Sequence, residues 1–317
     1  MPYAPELPTN QELEQQYPLT PDAELEIAMA RERIGGILSL RESGLVAIVG
    51  PCAMTEDTQI IQAEGDEYSE LTIDEKGLYV VHRMPTWKPR TNPNEWHGLE
   101  TTNPELAYKT LITQAIRGAG VSIEIGRKEH ADRYGKALVL GWFGGRNVQK
   151  GHMMEEVALA EENLDLPLAV KNGLNGEIDE ALAHVDRLNR LRQERSDDAA
   201  PVVLLYRGGE NAETPEAWER QYCEALKRTM GAMIVDIAHG TEMAHDPNGK
   251  FKKSVEGQEA ALQHVLDIAN SGLTPAGIMS EASNAHSPTD PVMPVEGVVS
   301  GVRRLHTQRM NVLTSVS

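Results

Sequence analysis

Apolar residues along the chain fall into short unbroken runs, separated by longer stretches in which they recur every three or four positions. The unbroken runs are 45–50, 78–81, 121–125, 137–142, 166–170, 202–206, 232–237 and 276–280. They do not alternate, as a strand with one wet face does, so they predict strands covered on both faces, as in a parallel sheet. The stretches 153–164, 176–195, 214–230 and 254–271 carry the spacing of amphipathic helices. Eight strand–helix units predict an α/β fold, a single (β/α)8 TIM barrel with an N-terminal helical extension. An open doubly wound sheet is the alternative, but no GxGxxG turn follows the first run. Thr20-Pro21-Asp22 predicts a helix start, with Thr as N-cap and Pro at the first helical position. Leu25, Ile27, Ala28, Ile34, Ile37 and Leu38 carry that helix to about residue 40. Residues 1–19, polar and rich in proline, read as an extended arm. The expected organisation is an arm and helix over 1–43 and a catalytic barrel over 44–317.

Composition narrows the class. The 317 residues are 40% hydrophobic, enough for a sizeable core, and only 4% aromatic. A formal charge of -18 argues against nucleic acid or an anionic membrane surface as partner. No apolar run reaches the roughly 18 residues of a membrane span, and MPYAPELPTN lacks the pattern of a signal peptide. The two cysteines, Cys52 and Cys223, make no disulfide framework. A soluble cytoplasmic enzyme is the expectation.

Within this acidic chain, cations gather where strands end. Arg83, Lys88 and Arg90 fall just after the second run, followed by Thr91. The fourth run leads to Arg146, the fifth to Lys171 and the sixth to Arg207. In a barrel the C-terminal strand ends line the active site, so these cations would converge on an anionic ligand such as a phosphate or carboxylate. Cys52, His239 and Glu281 close the first, seventh and eighth runs. With an Asp they offer a mixed sulfur, nitrogen and oxygen donor set for a borderline divalent metal. His82, His97, His152, His184, His264 and His306 read as helix or loop residues without such company.

Seven motifs carry a resemblance. They are Val49-Gly-Pro-Cys-Ala53, Lys88-Pro-Arg-Thr91, Gly144-Gly-Arg146, Val170-Lys-Asn-Gly173, Tyr206-Arg-Gly-Gly209, Val235-Asp-Ile-Ala-His239 and Ile278-Met-Ser-Glu281. In this order they resemble the class I 3-deoxy-D-arabino-heptulosonate 7-phosphate (DAHP) synthases, and Tyr17-Pro-Leu-Thr-Pro-Asp22 resembles the leader of the aromatic-amino-acid-regulated subgroup. The resemblance implies condensation of phosphoenolpyruvate with erythrose 4-phosphate, the first step of the shikimate pathway of aromatic amino acid biosynthesis. It implies that Arg83, Lys88, Arg146, Lys171 and Arg207 hold phosphoenolpyruvate, with Lys88 also a proton donor. It implies that Arg90 and Thr91 hold the aldose phosphate. It implies a divalent metal (Mn²⁺, Co²⁺, Fe²⁺ or Zn²⁺) on Cys52, His239, Glu281 and a fourth ligand, with Lys88, His239 and Cys52 counted as catalytic. A dimer or tetramer is the family's usual assembly.

The chain also departs from the family pattern, as a divergent member. The family's fourth ligand is an Asp in a Thr-Asp pair after the strand-8 glutamate; here Thr289-Asp290 follows Glu281 after a short loop, and Asp290 is taken as that ligand, with His286 as the alternative. Trp87 stands where the family has a glutamate, and Cys52-Ala-Met-Thr-Glu-Asp57 lacks the family's histidine. These changes surround the acceptor end, so a same-fold enzyme joining phosphoenolpyruvate to a different aldehyde is the alternative reading. A catalytically dead barrel that binds phosphorylated metabolites is a further one. Between Lys171 and Arg207 a single charged helix over 177–195 stands where regulated relatives have a hairpin, so Phe, Tyr and Trp are expected not to inhibit in the usual way.

Overall fold

The computed structural model describes residues 8–87, 97–173, 178–208, 215–239, 244–245, 251–252, 255–284 and 292–316. Eight parallel strands close into a barrel: β1 (Leu45–Gly50), β2 (Leu78–Arg83), β3 (Gly120–Glu124), β4 (Leu138–Phe143), β5 (Leu168–Lys171), β6 (Val202–Tyr206), β7 (Met233–Asp236) and β8 (Gly277–Glu281). Each strand pairs with its sequence neighbours, and β1 closes the ring against β8 with Gly50 in register with Glu281. All residues of β1, β4, β5, β6, β7 and β8 are buried, as the unbroken apolar runs predict.

Helices α1 (Asn10–Gln16) and α2 (Pro21–Leu38) precede the barrel. Around it lie α3 (Thr58–Asp74), α4 (Leu99–Thr102), α5 (Pro104–Ile116), α6 (Lys128–Tyr134), α7 (Gly151–Leu159), α8 (Ile178–Gln193), α9 (Pro215–Thr229), α10 (Val255–Asn270) and α11 (Val295–Val316). Among the described residues no helix is long and apolar enough to cross a membrane.

The extended arm expected over 1–19 is corrected by α1; residues 1–7 lie outside the described residues. A capping box starts α1: the Thr9 hydroxyl accepts from the Glu12 amide at 3.2 Å, and Glu12 Oε2 accepts from the Thr9 amide at 2.8 Å. The flanking prolines hide that signal. Leu13 then enters the core at 0% exposure, supplying the packing that so short a helix needs.

At the N-terminal face three buried arginines donate to backbone carbonyls around the strand starts. From α2, Arg31 donates Nε to Leu138 O at 2.8 Å and Nη2 to Gly135 O at 2.6 Å, and it meets Asp165 at 2.8 Å. From α8, Arg192 Nη2 reaches Asn163 O at 2.7 Å and Leu164 O at 2.5 Å. From α11, Arg309 donates to Gly44 O at 2.5 Å and Thr274 O at 3.1 Å, joining the starts of β1 and β8. A guanidinium has donors enough to satisfy several carbonyls at once, and that makes its burial tolerable.

His82 belongs to β2, not to a helix or loop as expected from sequence. Its ring is fully buried, edge-on to Tyr68 at 5.2 Å with Gln114 nearby. Burial pushes its pKa down to about 3, the neighbouring Gln114 opposing only weakly, so the folded protein holds a neutral imidazole. An unfolded histidine titrates near 6.5, so between those values the unfolded chain binds more protons. The corresponding stability is intact above pH 6.5 and is lost as pH falls, at about 1.4 kcal/mol per pH unit. Urea midpoints at pH 7 and pH 5 should therefore diverge more in the wild type than in His82→Gln; equal divergence would remove His82 as the source.

Candidate active site

The C-terminal strand ends converge on one buried carboxylate. Asp236, the last residue of β7, is 0% exposed. Its Oδ1 turns back to accept from the amides of Ala238 at 2.9 Å and His239 at 3.2 Å, which shapes the strand exit. Its Oδ2 receives two partners at once: His239 Nδ1 at 2.8 Å and the Lys171 ammonium from β5. Lys171 Nζ also lies 3.2 Å from His239 Nδ1. Burial alone would raise the Asp236 pKa, but His239 and Lys171 more than offset it and hold the group well below the usual carboxylate range. Lys171 is pushed the other way from most paired lysines. Its burial, aided by the charge of Arg207, lowers its pKa despite the opposing pull of Asp236.

A second oxygen organises the neighbouring sector. Glu281 Oε1, at the end of β8, lies 3.4 Å from His239 Nε2 and 3.0 Å from Arg83 Nη2. Both side chains of the Arg83–Glu281 pair are buried. Arg83 Nη1 donates to the Pro51 carbonyl, and the guanidinium stacks over the Trp142 ring at 5.6 Å. Arg83, Glu281, His239, Asp236 and Lys171 thus form a continuous polar path across β2, β8, β7 and β5.

The other expected residues are placed less centrally. Arg207 is half-buried after β6, where Asn172 fixes it by accepting from its amide at 2.8 Å and donating to Gly208 O at 2.8 Å. Arg146 is exposed on the turn after β4. That turn approaches β3 so closely that a Cβ on Gly144 would meet Glu124 Oε1 at 1.9 Å. Cys52 is buried just beyond β1, next to the strand that carries Glu281. Lys88, Arg90, Thr91, His286 and Asp290 lie outside the described residues.

The donor types fit a borderline divalent metal, and Cys52, Glu281 and His239 leave three adjacent strands. His239 Nε2 and Glu281 Oε1, 3.4 Å apart, are spaced as two ligands of one ion can be. Among the described residues these two meet, and no group of three or more such side chains is assembled.

Sequence reasoning passed over several groups. Asp236 sat in a quoted motif without a role of its own. Glu64, on α3, accepts from Ser283 Oγ at 2.8 Å and the Asn284 amide at 2.5 Å, tying down the segment after β8. Glu100 accepts from Thr86 Oγ1 at 2.8 Å and Arg133 Nη1 at 3.1 Å, bracing the exit of β2. Each contact joins residues far apart in sequence, and no local spacing announces it.

The comparisons with known proteins agree with one another. The chain is 22% identical to the phenylalanine-inhibited phospho-2-dehydro-3-deoxyheptonate aldolase of Saccharomyces cerevisiae, across 92% of this chain and 82% of that protein. It is 24% identical to the Tyr-sensitive enzyme of Escherichia coli (88% and 82% covered) and 26% identical to the Corynebacterium glutamicum enzyme (87% and 78%). The structure of the Francisella tularensis aldolase of the same name superposes with a TM-score of 0.77 at 17% identity, covering 98% of both chains, which speaks for the fold. The DAHP synthetase I family matches residues 20–288, a span that covers most of the chain, all seven motifs and all eight barrel strands, and this protein therefore belongs to that family.

Proposed function

We propose that the protein condenses phosphoenolpyruvate with erythrose 4-phosphate to give DAHP and inorganic phosphate, and that it needs a divalent metal to do so. The observation that carries this reading is the path from Arg83 through Glu281, His239 and Asp236 to Lys171, with Arg207 beside it. It offers cations held rigidly at the strand ends, where a phosphate and a carboxylate can be bound bidentately.

In this reading Arg83, Lys88, Arg146, Lys171 and Arg207 hold phosphoenolpyruvate, and Arg90 and Thr91 hold the phosphate of the aldose. C3 of phosphoenolpyruvate attacks the aldehyde carbon, water adds at C2, and phosphate leaves with cleavage of its C–O bond. Lys88 delivers the proton to the new hydroxyl. Fixed cations around both reactants supply the proximity and charge stabilisation. Cys52, His239, Glu281 and Asp290 would hold the metal, which when bound supplies Lewis-acid polarisation of the aldehyde.

A phosphate-release assay with both substrates tests this. Turnover is expected with Mn²⁺, Co²⁺, Fe²⁺ or Zn²⁺, abolished by a chelator, and reduced by about 100-fold or more in His239→Ala. Faster phosphate release with another aldehyde would favour the alternative acceptor. We also propose that Phe, Tyr and Trp do not inhibit. Among the described residues between β5 and β6 there is one helix, α8, and no strand that could build the hairpin of regulated relatives. Inhibition of the same assay by any of the three below millimolar concentration would overturn that part.

A further inference from the structure

Arg127 follows β3 on the same C-terminal face as the site, and sequence reasoning gave it no role. Its side chain is exposed yet held on two sides. The guanidinium lies over the Trp87 ring at 5.3 Å, and Nε donates to His130 Nε2 at 2.9 Å. His130 can accept because it is neutral: burial lowers its pKa to about 4, with Glu100 opposing and Arg127 assisting. His130 is itself braced, 3.8 Å from the buried Glu100 that also holds Thr86 and Arg133. Trp87 packs so tightly on the β3 exit that a Cβ on Gly126 would come within 2.3 Å of its ring. These contacts use one N–H of Arg127 and one face of its plane. Among the described residues, Nη1 and Nη2 make no hydrogen bond or ion pair. A preorganised guanidinium with its fork open to solvent suits a phosphate or carboxylate, since little further ordering is needed on binding.

Trp87 also immediately precedes Lys88-Pro-Arg-Thr91, the segment expected to receive the aldose phosphate. A neutral indole that carries a stacked cation makes this rim more attractive to an anion. We propose that Arg127 is an acceptor-side anchor whose Nη1 and Nη2 bind the phosphate of the aldose phosphate, with Trp87 and His130 as its positioning residues. This rests on the condensation proposed above.

The test compares wild type with Arg127→Ala, using erythrose 4-phosphate and unphosphorylated erythrose as acceptors. KM for erythrose 4-phosphate should rise about 10- to 100-fold, with KM for phosphoenolpyruvate changed less than about twofold. With erythrose the two proteins should perform alike, because the anion that Arg127 reads is missing. Equal losses with both acceptors would show that Arg127 only packs the rim, and an unchanged KM would likewise overturn the anchor. Calorimetric titration of erythrose 4-phosphate into both proteins separates the two proposals. Arg127-dependent binding without turnover would sink the condensation and leave the anchor standing. Turnover with binding that ignores Arg127 would do the reverse.

Discussion

Asp236→Asn is expected to cost about 3–5 kcal/mol of folding stability, the usual consequence of removing one partner from a buried ion pair. Asp236 is fully buried, and its Oδ2 compensates the buried Lys171 while also holding His239 Nδ1. Asparagine keeps the shape and can still accept from the amides of Ala238 and His239 through its carbonyl. It cannot neutralise the ammonium, and whichever group replaces Oδ2 faces both Lys171 and His239. Turnover should fall by roughly 10- to 100-fold as the imidazole loses its fixed orientation. Urea denaturation measures the first effect and phosphate release the second. A wild-type midpoint would mean that Lys171 is compensated elsewhere. The double variant Asp236→Leu, Lys171→Met is expected to recover much of the lost stability and none of the activity, because an apolar pair removes both charges from the interior.

Arg83→Met should be nearly as severe, for a different reason. It removes the cation paired with the buried Glu281, 1% exposed in its side chain, and empties the space against Trp142. About 3 kcal/mol of stability should go with it. The kinetic loss should fall on phosphoenolpyruvate: kcat/KM for that substrate down by about 10²- to 10³-fold, as for removal of one fixed donor to a charged transition state. KM for the aldose phosphate should barely move. A variant with reduced stability but wild-type kinetics toward phosphoenolpyruvate would assign Arg83 to the scaffold.

The barrel was readable because burying strands on both faces demands unbroken apolar runs, and all eight runs became strands within a residue or two at most ends. Helix α2 was equally plain, its Thr20 cap and Pro21 being local signals. Where structure depends on partners distant in sequence, the signals fade. Nothing near Arg83 announces Glu281, and nothing near Lys171 announces that Asp236 will meet it across two strands. The motifs placed these residues at strand ends, but their pairing emerges only when the ring closes. Helix α1 was missed for the opposite reason: its capping box is local, but it sits among prolines that suggest an extended chain. Arg127 reads as one more charged residue in a polar turn until Trp87 and His130 are brought against it.

The three arginines beneath the barrel have a consequence for biosynthesis. Arg31 can engage its carbonyls once the fourth strand has been made, and Arg192 is already downstream of those it holds. Arg309 is different, since it joins Gly44, at the start of the first strand, to Thr274, at the start of the last. A nascent chain can therefore fasten one side of the ring early, but the ring closes only when β8 pairs with β1 and β7, and Arg309 clasps that seam later still. Until β8 emerges, β1 and β7 each present an unpaired edge, the feature that makes incomplete sheets prone to association. This barrel should depend on chaperones most before its eighth strand has emerged.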